Sequence, residues 1–184
     1  MVAFAVTEAP ALLRERARTL DESAFADAVE RYRIGEGRSS PESFFARVVL
    51  QREAYLREMS AAPSAAGLCG RCGHPPQVGR LVAEGDGTSV RFCCSLCFDE
   101  WLAPRDYCPG CDGTEVAKLG YYRAPELAHV EARACETCGI YLHFVKTAVE
   151  PSAVPDVDEV VALPLDVWAH ENGYRKLVPN LVGI

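Results

Sequence analysis

The sequence predicts an α+β protein: a helical N-terminal region, two β-ribbons in tandem and a short C-terminal helix. Three observations carry that prediction. Apolar residues recur at helical spacing up to about residue 60, and all nine cysteines fall between Cys69 and Cys138. Eight of those cysteines form Cys-x-x-Cys pairs that frame two copies of one strand–turn–strand unit. The chain accordingly divides into a helical region at 1–60, a linker at 61–67, ribbons at 68–104 and 105–148, and a C-terminal loop and helix at 149–184.

In the helical region, Pro10 fits a first helical position, and Leu12, Leu13, Arg16 and Ala17 continue one face to about Leu20. Asp21 is the expected N-cap of a second helix through Phe25, Val29 and Tyr32, stopped by Ile34-Gly35-Glu36-Gly37. Ser39-Ser40-Pro41-Glu42 joins a capping serine, a proline at N1 and an early glutamate, which marks the start of a third helix. Its expected buried stripe is Phe44, Val48, Tyr55 and Met59, with Phe45, Val49, Arg52 and Leu56 beside it. The small residues and proline of Ala61 to Gly67 make the linker.

The first repeat runs from Cys69-Gly70-Arg71-Cys72 through a strand at Gln77–Glu84, a Gly85-Asp86-Gly87 turn and a strand at Thr88–Cys93 to Cys94-Ser95-Leu96-Cys97. The second runs from Cys108-Pro109-Gly110-Cys111 through Glu115–Tyr122, an Ala124-Pro125-Glu126 turn and His129–Ala134 to Cys135-Glu136-Thr137-Cys138. Val78, Val82, Val90, Phe92, Val116, Leu119 and Val130 give these segments strand character. A further strand is expected at Ile140–Val145, a loop or short helical turn at Pro151–Asp158, and a helix from Pro164 to Asn172 ended by Gly173.

A Cys-x-x-Cys turn presents two sulfurs on one side, and two such turns across a hairpin supply the four that a tetrahedral site takes. The hairpin geometry favours sequential pairing over an interleaved arrangement. Cys69, Cys72, Cys94 and Cys97 form one site, and Cys108, Cys111, Cys135 and Cys138 the other. Gly73 and Gly139 follow their pairs directly and Asp112-Gly113 follows the third, which suits positive φ; Phe98 departs from that preference. Sulfur-only ligation fits two metal ions per chain, zinc and iron alike. A closed four-sulfur site leaves no coordination position for a substrate, so its metal is structural. Cys93 alternates away from Cys94 and reads as a small buried apolar residue, with a reactive or exchanging thiol as the alternative. His74, His129, His143 and His170 lack paired spacing and read as packed or solvated.

Composition narrows the function. The formal charge is −7, and a zinc-bound set of four thiolates adds roughly −2. Lysines and arginines are scattered singly through the cysteine region, so nucleic acid is not an expected partner. No run of apolar residues is long enough for a membrane span. The opening Met1–Val6 turns acidic at Glu8 without a basic stretch, so no signal peptide is expected. In a reducing compartment, thiols at these spacings bind metal rather than form disulfides. No Ser-His-Asp arrangement, glycine-rich phosphate loop or His-Glu-x-x-His motif appears.

The series Cys69-Gly70-Arg71-Cys72-Gly73-His74-Pro75-Pro76, Cys94-Ser95-Leu96-Cys97, Trp101, Arg105, Cys108-Pro109-Gly110-Cys111 and Cys135-Glu136-Thr137-Cys138-Gly139-Ile140-Tyr141 is distinctive. With Leu163-Pro164-Leu165-Asp166, Glu171-Asn172-Gly173-Tyr174 and Asn180, it resembles the formate dehydrogenase accessory protein family, FdhE, over about residues 67–182. The resemblance implies a cytoplasmic, non-enzymatic protein with a helical N-terminal part and two rubredoxin-like or zinc-ribbon modules, iron being favoured in the cysteine sites. It implies contact with the catalytic subunit of a molybdenum- or tungsten-containing, often selenocysteine-containing, formate dehydrogenase before that subunit is exported. The role implied is assembly and quality control. The helical region ahead of Cys69 is short for this family.

Trp101, Tyr121, Tyr122 and Tyr141 are candidates for the client contact, with core packing as the alternative. The competing functions are an iron-dependent redox or oxygen sensor, a thiol–disulfide oxidoreductase and a nucleic-acid-binding zinc ribbon. Four equivalent pairs on hairpins do not match the single reactive pair of thiol exchange. The oligomeric state is not encoded in any of these patterns.

Overall fold

A computed structural model describes residues 11–34, 36, 41–57 and 66–180. The chain separates into two compact units, one up to Arg57 and one from Glu58 to Val182. The expectations for Pro10, Ser39, Ser40, Met59 and residues 61–65 lie outside the described residues.

The first unit holds α1 (Ala11–Arg18), α2 (Glu22–Arg33) and α3 (Pro41–Tyr55). Asp21 caps α2 as expected: its carboxylate accepts from the Ala24 N–H at 2.8 Å. Helix α2 lies against α3, buries Ala28 and Tyr32, and ties Arg33 to Glu53 at 3.0 Å. The buried stripe of α3 is Ser43, Ala46, Arg47, Leu50 and Ala54, with Phe45 beside it. This differs from expectation, because Val48 and Tyr55 are exposed, as is Leu56 just beyond the helix. Small residues at positions 43, 46 and 54 turn the contact face by about one residue from the bulky stripe.

The second unit is built on one sheet with strands β1 (Pro76–Glu84), β2 (Gly87–Cys94), β3 (Glu100–Ala103), β4 (Leu119–Tyr122), β5 (Val130–Cys135), β6 (Ile140–Lys146) and β7 (Arg175–Lys176). Its order is β3-β2-β1-β6-β5-β4, with β7 paired to the start of β6. Each repeat is therefore a three-stranded antiparallel meander, β1-β2-β3 in the first and β4-β5-β6 in the second. The meanders join through a short parallel pairing, Gly79 opposite Phe144, Arg80 opposite Val145 and Leu81 opposite Lys146. Strand β3 was not expected, although Ile140–Val145 is its counterpart in the second repeat. A 3-10 turn at Val116–Lys118 replaces the first part of the expected Glu115–Tyr122 strand.

Strand alternation sorts the core onto two faces. Val78, Cys93, Val130, Ala132, Ala134, Tyr141 and Val145 cluster with Ala162, Leu165 and Ala169 from two helices, α4 (Pro155–Val161) and α5 (Leu163–Glu171). On the other face, Phe92, Leu142 and Phe144 gather with Val90, Ala103 and Tyr107, edged by Trp101 and Leu81. Cys93 is thus a buried core residue, as expected. Helix α4 is longer than the anticipated turn. Pro155 sets its first φ, and the Asp158 carboxylate accepts from the Val154 N–H at 2.6 Å. Gly173, with φ of 80°, ends α5 where expected.

Candidate metal centres

Three of the four Cys-x-x-Cys turns are closed by a backbone hydrogen bond across the pair. The N–H of Gly73 donates to the Cys69 carbonyl, that of Asp112 to Cys108 and that of Gly139 to Cys135, all at 2.8–2.9 Å. The residue after each pair has positive φ: Gly73 at 76°, Phe98 at 58°, Asp112 at 58° and Gly139 at 69°. Phe98 therefore adopts the turn its side chain disfavours, at a cost of about 1–2 kcal/mol. The Cys94 N–H holds that turn by donating to the Asp99 carbonyl at 2.9 Å. Asp112 is braced by a hydrogen bond from the Tyr107 hydroxyl.

The structure brings the pairs together sequentially. The sulfurs of Cys69, Cys72, Cys94 and Cys97 lie within 4.8 Å of one another, and so do those of Cys108, Cys111, Cys135 and Cys138. Closest approaches in the first cluster are 3.6 Å for Cys69–Cys97, 3.3 Å for Cys72–Cys94 and 3.6 Å for Cys72–Cys97. In the second they are 3.6 Å for Cys108–Cys138 and 3.8 Å for Cys111–Cys135. A tetrahedron with metal–sulfur bonds of about 2.3 Å has edges of about 3.8 Å, so both donor sets fit one four-coordinate ion. The two clusters could each hold a metal ion, and their sulfur chemistry suits zinc or iron equally.

The thiols of the first cluster cannot ionise independently. Hydrogen bonding from Cys72, Cys94 and Cys97 pushes Cys69 well below the ordinary thiol range, while the bond to Cys69 pushes Cys72 and Cys94 up. In the second cluster burial raises Cys108. Burial also opposes ionisation of Cys135, but N–H groups of Cys138 and Thr137 outweigh it and bring the thiol down to about 7. The clusters differ in access. Cys69, Cys94 and Cys97 are buried in the first, whereas in the second Cys111 is exposed and Cys138 half-buried.

Among the described residues no histidine joins either four-cysteine cluster, although the His74 carbonyl accepts from the Cys69 N–H at 2.9 Å. His143 instead belongs to a buried polar network that the sequence did not reveal. Tyr141 donates to Asp166 at 2.8 Å, and Lys176 Nζ lies 2.9 Å from Asp166 Oδ1 and also pairs with Glu159. His143 Nε2 lies 3.3 Å from Asp166 Oδ1. Of the four candidate contact aromatics, Tyr141 is thus a core residue, and Trp101 is half-buried against Phe92 and donates to the Ala66 carbonyl at 2.7 Å. Tyr122 packs with Trp168 and Tyr174, and Tyr121 is exposed.

Paired strands ending in two closed four-sulfur clusters, with helices at both ends of the chain, define an α+β protein with tandem ribbons of the rubredoxin-like or zinc-ribbon type. Residues 107–182 match the family described as FdhE, C-terminal domain. Protein FdhE homolog from Aquifex aeolicus is 33% identical over 116 residues, 62% of this chain and 41% of that protein. Protein FdhE from Escherichia coli O157:H7 is 32% identical over 110 residues, 59% of this chain and 35% of that protein. The crystal structure of the FdhE protein from Pseudomonas aeruginosa is similar with a TM-score of 0.72 and 26% identity, covering 98% of this chain and 67% of that one. The chain is thus similar to FdhE proteins in sequence and fold, and it spans about two-fifths of the length of the curated proteins it matches.

Proposed function

We propose that this chain binds two metal ions and serves in the cytoplasm as an accessory protein that recognises the immature catalytic subunit of formate dehydrogenase. The observation that carries the reading is a pair of four-sulfur cages of metal-bond dimensions in a chain similar to FdhE proteins. Cys69, Cys72, Cys94 and Cys97 would hold one ion, and Cys108, Cys111, Cys135 and Cys138 the other. Iron is favoured by the family and zinc is the alternative. Either ion, when bound, cross-links two turns that are separated in sequence and balances the charge of their thiolates. The rest of the work falls to the chain. Backbone N–H groups orient the sulfurs, the paired strands bring the turns together, and the four-sulfur sets admit no substrate, so the role is recognition and not catalysis. Among the described residues no helix is long and apolar enough to cross a membrane.

Anaerobic co-purification with the catalytic subunit tests the proposal. The parent chain should retain the subunit, and Cys69→Ser/Cys72→Ser and Cys108→Ser/Cys111→Ser chains should lose it. Failure of the parent to associate would refute the reading. Elemental analysis of the same preparation should give two ions per chain. The exposure of Cys111 supports a second reading, iron-dependent sensing of oxidants. A reversible visible spectrum is expected on that reading, and a colourless zinc protein ends it.

A further inference from the structure

The sheet face away from α4 and α5 carries a groove of about 320 Å³ whose walls are charged against the trend of the chain. Leu81, Val90 and Tyr121 line its apolar part, and Arg105, Arg123, Arg133 and Lys146 supply four cations. Only two carboxylates, Asp106 and Glu131, share it, so the groove holds a surplus of positive charge on a chain of formal charge −7. Glu131, 1% exposed, acts as a buried anchor for that charge. It lies 3.0 Å from Arg123 Nη2, 3.0 Å from Arg133 Nε and 2.9 Å from Lys146 Nζ.

These cations are fixed before any ligand arrives. The Arg133 guanidinium lies over the ring of Tyr121 at 5.0 Å and that of Phe144 at 4.0 Å, and its Nη1 donates to the Arg105 carbonyl. Arg105 Nη2 donates to the Thr88 carbonyl at 2.8 Å. Each guanidinium has five N–H donors, so these contacts leave donors for a ligand carboxylate. Preorganised side chains lose little entropy on binding. Seven of the lining residues come from β2, β1, β6, β5 and β4, neighbouring strands spanning about 19 Å at about 4.8 Å each, and Arg105, Asp106 and Arg123 join them from loops at the sheet's edge. That span exceeds a single tetrahedral anion and suits an extended polypeptide.

We propose that this groove binds an acidic, extended segment of a partner polypeptide. Aspartate and glutamate carboxylates meet the arginines and Lys146, and the segment's apolar atoms rest on Leu81, Val90 and Tyr121. The aliphatic floor of Leu81 and Val90 favours polypeptide side chains over a phosphate backbone in the same place. The partner need not be a formate dehydrogenase subunit, because the charge complementarity holds for any acidic segment.

Fluorescence anisotropy of the metal-loaded full chain with labelled, capped hexapeptides tests the groove. A Glu/Asp-rich peptide should bind about ten-fold or more tighter than its Gln/Asn counterpart and weaken as salt rises. Arg123→Gln and Arg105→Gln should each weaken it several-fold, whereas Lys118→Gln, outside the groove, should leave it unchanged. In the unsubstituted chain, acidic peptide should shift the amide resonances of Thr88, Tyr121 and Lys146, a readout that needs no variant to fold. Equal binding of the two peptides, an equal effect of Lys118→Gln, unmoved groove resonances, or tighter binding of an oligothymidine would each overturn the proposal.

Discussion

Replacing Gly79 by alanine should break the joint between the two ribbons. Gly79 on β1 faces Phe144 on β6, and a Cβ on Gly79 would stand 2.3 Å from Cδ1 and Cε1 of that ring. Ordinary carbon contacts begin at about 3.5 Å, so ring or strand must yield by about 1.2 Å, the difference between the two distances. The ring has little space to yield. It is 2% exposed, with the Phe92 ring centred 6.1 Å away and the Arg133 guanidinium 4.0 Å from its centroid. Overpacking of this kind costs about 1–3 kcal/mol. Without the clash, alanine in place of a strand glycine would instead stabilise by about 0.5–1 kcal/mol, so the sign separates the two accounts. Phe144→Ala alone should cost about 3–5 kcal/mol, and the double variant should cost less than the sum by about 1–3 kcal/mol. Urea unfolding of the metal-saturated chain, followed by circular dichroism, measures all four corners of the cycle. Stabilisation by Gly79→Ala, or additivity within about 0.5 kcal/mol, would refute the packing account.

Three further outcomes are expected. A competing chelator should strip a metal-loaded chain in two phases, the faster from the cluster with exposed Cys111, and a Cys111→Ser chain should lack that phase; one uniform phase would count against the difference in access. Lys176→Met should cost about 3–5 kcal/mol in the same urea assay, since Glu159 and Asp166 would be left buried without their shared cation, and a cost near zero would contradict the network. Burial raises Glu159 to about 7, so the fold holds a proton that the unfolded chain releases above 4.5, and this contribution is lost as pH climbs to about 7. Burial and Lys176 lower His143 to about 4, so stability linked to His143 is lost as pH falls from 6.5 towards that value. The two trends oppose, and Glu159→Gln should make melting temperature fall more steeply than in the parent between pH 6.5 and 4.5; parallel profiles would exclude the linkage.

The cysteine clusters were legible because four sulfurs on two facing turns satisfy a tetrahedral site whatever lies between them. The cap at Asp21 was legible because its carboxylate acts within three residues of chain. What escaped the sequence was set by distant partners. Phe98 gives no local sign of positive φ; the closed turn imposes it. The parallel pairing of β1 with β6 leaves no pattern in either strand, and Gly79 acquires meaning only opposite Phe144. Asp166, Glu159 and Lys176 are residue types usually found in solvent, so nothing in their own spacing announced a buried network. Asp166 and Tyr141 did stand in the distinctive motif series, and their hydrogen bond supplies a structural reason for both.

The joint also determines how the two clusters depend on each other. Strand β2 ends at Cys94 and β5 at Cys135, while β1 and β6 begin soon after Cys72 and Cys138. Those same β1 and β6 strands meet at Gly79 and Phe144, and their opposite-facing residues Val78, Tyr141 and Val145 share one core with α4 and α5. A lone ribbon of this size has too little apolar surface to fold securely without its metal. Joined, each ribbon shares the core of the other, so on the two-metal reading loss of an ion from the more open cluster would loosen β6 while the shared core still holds β1 in place. On the proposed two-metal reading, the difference in access would make the first cluster the firmer tie in the fold and the second the one whose occupancy bears on β5 and β6, the strands that carry Glu131, Arg133 and Lys146 of the groove.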